Sequence, residues 1–304
     1  MSAKDYFGTV YYMHNIPVHS SQILDISIPW SNLVSFDLGC IALASDVTLV
    51  VMHRAATNLH EAAFRVDFGA SAHRSLMDPP PVRMKALREL RVILEGNGLT
   101  DAGFFGRVSV PCLRDLRVDM TSPNTDGWNL HFFRPLFASC SKKLEVLELI
   151  NAPGPTTTHS SLANRQRRQV THLELEALLE STPNLHTLRL PRGIFTHNAT
   201  LRKLEIADLL PSLRALEVTP SSFANAEDIL CMLATRMEVV EAARRGIGTS
   251  NTNGEEEEEE ERHVEPITDV VLHSPLAERS AFLKDVVPRY LPRLRGVRIR
   301  VEAW

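Results

Sequence analysis

One short pattern constrains this 304-residue chain more than any other feature: an apolar residue, two variable positions, a second apolar residue, one variable position and a third. It is written most clearly as LRELRV, Leu87 to Val92, and LRDLRV, Leu113 to Val118. The same spacing recurs as Leu33/Phe36/Leu38, Leu59/Ala62/Phe64, Leu144/Leu147/Leu149, Leu185/Leu188/Leu190, Leu213/Leu216/Val218, Ile267/Val270/Leu272 and Leu294/Val297/Ile299. Successive intervals are 26, 28, 26 and 31 residues, then 41, 28, 54 and 27. Periods of roughly 20–29 residues are those of leucine-rich repeats. A single short strand cannot bury its apolar face, whereas stacked parallel strands with returning helices build a continuous core.

The expected fold is therefore α/β: a leucine-rich-repeat solenoid, or horseshoe, with a parallel inner sheet and outer helices. It is expected to run over residues 28–304, after an irregular N-terminal segment at 1–27. Three segments between the strands have helical spacing. SDVTLVVMHRAA offers Ser45 as N-cap and Val47, Val50 and Val51 on one face. NAEDILCMLATRMEVVEAARR offers Ile229, Leu230, Leu233, Met237 and Val240. SPLAERSAFLKDVVPRYL opens on Ser274 and offers Leu276, Leu283, Val286, Val287 and Tyr290. Two further matches, Val170/Leu173/Leu175 and Leu201/Leu204/Ile206, fall too close to the next strand to be full units, and are expected to be helix.

Composition narrows the class. Apolar residues make up 44% and aromatics 6%, which favours layered Leu/Val packing. Net charge is −4, and the run Glu255 to Glu261 alone supplies the negative balance, so the remainder carries no basic field of the kind that drives nucleic-acid binding. That run repels itself, and a disordered acidic loop is expected at about 247–264. No stretch approaches 18 apolar residues, so no membrane partner is expected. Cys40, Cys112, Cys140 and Cys231 are scattered without ligand or disulfide spacing, which fits a reducing, cytoplasmic or nuclear compartment. His14, His53, His131 and His186 likewise lack metal-ligand spacing, and no nucleophile elbow, phosphate loop or zinc motif is present. No cofactor, metal or catalytic residue is assigned, and the chain is not expected to be an enzyme. A hydrolase on a solenoid-like frame is the remote alternative.

IPWSNLVSFDL, NLHEAAFRV, VPCLRDLRV, TPNLHTLRLP and LPSLRALEV, with the LATRM that ends a long helix, resemble fungal F-box/leucine-rich-repeat proteins. The resemblance covers Ile28 to Val301, the repeat region. The preceding residues hold no leucine–proline-led helical triplet of the F-box kind. It implies a protein-interaction module that recognises the substrate of an SCF-type, cullin–RING ubiquitin ligase, the ligase core being reached through a missing or separate F-box. A scaffold or inhibitor unrelated to ubiquitin is the alternative.

Variable strand positions face the concave side of such a sheet. The candidate partner-binding residues are Arg88, Arg91, Arg114, Arg117, Glu148, Arg189 and Glu217. The mid-strand column Arg117, Glu148, Arg189, Glu217 alternates in sign and can satisfy itself, whereas Arg88 to Arg117 has no partner in its own column. Two readings stand: an anchor for an acidic or phosphorylated segment of another protein, or a solvated face compensated by Glu89 and Asp115. The closing VRIRVEAW ends straight after a strand, which is expected to be covered by a partner or continued in a longer chain, the latter being favoured.

Overall fold

A computed structural model describes residues 9–12, 20–68, 80–95, 103–120, 130–140, 142–151, 170–190, 194, 196–246, 264–274 and 276–303. The acidic run and its expected loop at 247–263 lie outside the described residues, as does most of the Pro/Gly-rich stretch after Asn151. The chain falls into two compact units, Met1–Arg168 and Gln169–Trp304.

In the first unit the strands are β1 (Thr9–Tyr12), β2 (Leu33–Ala44), β3 (Glu61–Asp67), β4 (Val82–Arg83), β5 (Glu89–Glu95), β6 (Val108–Ser109), β7 (Asp115–Met120) and β8 (Val146–Asn151). Six of them form a parallel sheet in the order β1-β2-β3-β5-β7-β8, and β4 pairs with β6 separately. Strand β1 lies inside the segment expected to be irregular. The helices are α1 (Ser45–Ala55), the short α2 (Gly103–Gly106) and α3 (Arg134–Cys140). Helix α1 packs on β2, β3 and β4, and α3 on β6.

The second unit holds β9 (Thr187–Arg189), β10 (Ala215–Val218), β11 (Asp269–Ser274) and β12 (Arg298–Ala303), parallel in that order. Its helices are α4 (His172–Glu180), α5 (Asn198–Glu205), α6 (Phe223–Gly246), α7 (Leu276–Ala281) and α8 (Val287–Tyr290). Both close-spaced matches are helix, as expected. Helix α4 starts on a capping box in which Thr171 and Glu174 satisfy each other's backbone N–H.

The first eight apolar triplets are all buried, and registration explains why. Ala62, Leu90, Leu116 and Leu147 lie side by side across four strands, and Leu188, Leu216 and Val270 across three more. With a side-chain period of two, every second residue then points at the helices and its neighbours point away. The residue before each strand has its own backbone role. The carbonyls of His60, Arg88 and Arg114 each accept two N–H groups from the entry of the next strand, at 2.8–3.0 Å. His186 and Arg214 do the same in the second unit. The first arginine of each LRxLRV thus sits at a strand entry, its side chain free to reach solvent.

Three expectations are corrected. Ser45 is the first helical residue of α1 rather than its cap; Ala44 holds that place without a side-chain bond. In the ninth triplet, Ile299 and Val301 align with Val270 and Leu272, two residues later than Val297 and Ile299. A turn through Gly296, at φ 85°, delays the strand. Ser274 ends β11, and the following helix contains a π turn at Phe282–Val286. A π turn holds an extra residue and rotates the apolar face, so Phe282 is buried at 3% while Leu283 is 41% exposed.

Aromatic rings, though few, concentrate in the first unit. Trp30, Phe36 and Phe64 meet edge to face at 5.4 and 6.4 Å, and Phe105 lies 4.8 Å from Phe133. In the second unit the largest fully buried side chain is Arg236 on α6, 0% exposed. Its guanidinium donates to four backbone carbonyls, those of Leu204, Leu210, Pro211 and Glu265, at 2.8–3.1 Å. Burial pushes its pKa down to about 10. The arginine of LATRM therefore ties the end of α5 and the turn after it, where Ala207 and Leu210 have positive φ, to α6.

Candidate functional site

The face of the first unit's sheet that points away from the helices carries the charged strand residues. Arg91, Arg117 and Glu148 lie in one cross-strand row, as the spacing implies. Two arginines directly opposite each other repel, and the structure resolves this through a residue the sequence reading passes over. Asp119, two residues beyond Arg117 and therefore on the same face, is 3% exposed. Arg91 donates to its Oδ2 from Nε at 2.9 Å and from Nη2 at 2.7 Å, and Arg117 donates to its Oδ1 from Nε at 2.9 Å. Arg117 Nη1 also approaches Glu148 Oε2 at 3.6 Å.

Both arginines are committed to one buried carboxylate from the next row rather than from their own. Arg114 pairs with Glu145 at 3.2 Å on the surface, a contact of little energetic weight. Arg88 is exposed and has no carboxylate partner among the described residues.

The neighbouring row is acidic. Glu61, Glu89 and Asp115 occupy consecutive registered positions on β3, β5 and β7. Burial lifts the Asp115 carboxyl to about 6, and the nearby Glu148 and Glu89 carboxylates add to the shift, with Arg117 opposing them. Asp37, Asp67 and Glu95 share this face, Glu95 in an ion pair with Arg65. Among the strand residues described on this face, eight carboxylates thus meet three guanidinium groups, those of Arg65, Arg91 and Arg117. The balance of charge on these strand residues is negative.

In the second unit Arg189 and Glu217 are registered opposite each other and bonded at 2.7 Å. His273 Nε2 lies 2.6 Å from the same Glu217 carboxylate. Burial raises the Glu217 pKa, but His273 and Arg189 outweigh it and hold the group below its usual value. Arg298 and Arg300 reach Asp269 at 3.9 and 3.5 Å, and Arg300 reaches Glu302 at 3.7 Å. Three arginines and three carboxylates neutralise one another here, in contrast to the first unit.

Among the described residues no group of three or more His, Cys, Asp or Glu is placed to hold a metal ion, and no helix is long and apolar enough to cross a membrane. The first unit contains a small apolar cavity lined by Met52, Phe64, Phe104, Phe105 and Leu136, with Thr48 as its one polar wall. Thr48 already donates to the Ala44 carbonyl, so the cavity offers a ligand no free polar anchor. Cys140 is buried, and burial pushes its thiol up to about 12, away from nucleophilic chemistry.

Compared with known proteins, the sequence matches no family model and no curated protein.

Proposed function

We propose that the chain is a protein-binding module and that the open sheet face of its first unit is the ligand surface. The observation that carries this reading is the uncompensated acidic row Glu61–Glu89–Asp115, set beside arginines already locked onto Asp119. A rigid, pre-arranged face loses little side-chain entropy when a partner docks, and its charge selects the partner's sign. The ligand of this face is a segment bearing lysine or arginine.

The regular intervals of LxxLxL and the buried triplets support a leucine-rich-repeat solenoid as the framework. Within that class, resemblance to F-box/leucine-rich-repeat proteins favours substrate recognition for a cullin–RING ubiquitin ligase. Titration with a lysine-rich and a glutamate-rich peptide tests the charge sign. The lysine-rich peptide is expected to bind, and to lose at least tenfold in affinity when Glu61, Glu89 and Asp115 are changed to Gln, Gln and Asn. Binding of the glutamate-rich peptide alone would reverse the assignment.

A further inference from the structure

We propose that Cys112 and Lys143 form an oxidant-responsive modification site, in which a peroxide oxidises the thiol and the lysine amine then closes a covalent sulfur–nitrogen bridge. The site lies within the first unit and stands apart from the reading of its acidic row.

Register brings the two side chains together. Asp115 and Val146 are paired across β7 and β8, and the N–H groups of Glu145 and Val146 donate to the Arg114 carbonyl at 2.8 and 2.9 Å. Counting back from that pair at the same offset, Arg114 meets Glu145, Leu113 meets Leu144, and Cys112 meets Lys143. Both strand entries are anchored. Leu113 and Leu144 are fully buried, and the Leu113 N–H donates to the Val110 carbonyl at 3.1 Å. The N–H groups of Lys143 and Leu144 both donate to the Cys140 carbonyl, at 2.9 and 3.1 Å. Just outside these anchors Lys143 Nζ donates to Cys112 Sγ at 3.5 Å. Glu145, the carboxylate next but one to Lys143 in the chain, is turned to Arg114 at 3.2 Å. Cys112 is half-buried and Lys143 exposed, so a small oxidant reaches both, whereas Cys140 is buried.

The chemistry balances with hydrogen peroxide as the oxidant. The Cys112 thiolate attacks one peroxide oxygen and the O–O bond breaks. Sulfur gives up two electrons and becomes a sulfenic acid, and the other oxygen leaves as hydroxide and is protonated to water. The neutral Lys143 amine then attacks that sulfur. The S–N bond forms as the S–OH bond breaks, and the departing hydroxide takes the amine proton, which leaves a sulfenamide and a second water. Sulfenic acids condense with nitrogen in this manner, and two groups already in contact need no bimolecular encounter. A thiol reductant returns the sulfenamide to thiol and amine.

The test treats the full chain with hydrogen peroxide at about pH 8, where an ordinary thiol is partly ionised, then maps unreduced peptides by mass spectrometry. The wild type is expected to yield a Cys112–Lys143 linked peptide, two hydrogens lighter than its two components, which dithiothreitol abolishes. Cys40 and Cys231, both exposed, serve as internal controls and should carry no lysine bridge. Lys143→Arg keeps the positive charge without the amine. It should lose the linked peptide and stop at a Cys112 sulfenic acid that dimedone labels, with an unchanged circular dichroism spectrum. Oxidation of Cys112 in the wild type without the linked peptide would overturn the proposal. So would a Cys112 that stays a free thiol while Cys231 is oxidised, or a bridge that persists in Lys143→Arg.

Discussion

Arg91 stands directly opposite Arg117 on the adjacent strand, and both donate to the same buried carboxylate, Asp119. The pair is tolerable only because that carboxylate lies between them. Asp119→Ala leaves two guanidinium groups facing each other with their charge-assisted bonds gone, and should cost about 3 kcal/mol in denaturant unfolding. Adding Arg91→Leu to that variant should recover part of the loss, because the remaining arginine can turn to Glu148. If the two effects simply add, the coupling inferred from the geometry is absent.

Arg236 is the second place where charge is buried to hold the backbone. Arg236→Met has similar length but no donors, and removes one charge-assisted bond from each of the carbonyls of Leu204, Leu210, Pro211 and Glu265, the first three of which keep a backbone donor in Ala207, Leu213 and Glu265. The expected loss is roughly 3 kcal/mol, since four charge-assisted hydrogen bonds between α6 and the backbone are lost at a buried site. Thermal unfolding of the variant checks it. A melting temperature within a degree or two of wild type would contradict the assigned role.

Asp115 gives the stability a pH dependence of defined sign. Its carboxyl titrates at about 6 in the fold and near the ordinary 3.8 when unfolded. The folded state therefore binds the proton more tightly, and stability falls as pH rises from about 4 to about 6. For a half-buried, solvent-screened group the size is about 1 kcal/mol. Asp115→Asn should flatten the profile in that window and be the more stable form at pH 7. In the same window the wild type should gain affinity for a lysine-rich peptide as pH rises, because Asp115 acquires its charge.

The π turn at Phe282–Val286 separates two adjacent residues. Phe282→Ala should destabilise by about 3 kcal/mol, as loss of a buried ring does, whereas Leu283→Ser should change stability by less than about 0.5 kcal/mol. A regular α-helix through this segment predicts the opposite ranking.

Much of the sheet was legible because a period of two, repeated at a fixed interval, leaves one solution: Leu87, Leu90 and Val92 go inside, as do their counterparts in seven other triplets. The ninth failed because two residues inserted through Gly296 move the strand without disturbing the local pattern. Leu283 failed because helical periodicity assumes 3.6 residues per turn, and one π turn breaks it. Asp119 was within reach, being on the face of Arg117 by the same period, but its burial depends on Ile93 and Ile150 lying beside it in register, which no local window contains. The arginines were legible as a motif, and their ion pairs were not. Arg91 and Arg117 are neutralised by Asp119, two residues from Arg117 but 28 from Arg91, while the acidic row arises only when β3, β5 and β7 are aligned. Arg236 was seen only as part of a family-like LATRM, and its carbonyl partners come from residues 25 to 32 positions away.

The most direct measurement is quantitative affinity purification from native-type cells with three baits: wild type, Glu61→Gln/Glu89→Gln/Asp115→Asn, and Arg88→Ala/Arg114→Ala. The account predicts that a partner carrying a basic segment is retained by the wild type and by the arginine variant and lost from the acidic-row variant. Cullin-complex subunits following that partner would support the ligase receptor reading. Retention of every partner by the acidic-row variant, or selective loss from the arginine variant, would contradict the assignment of this face.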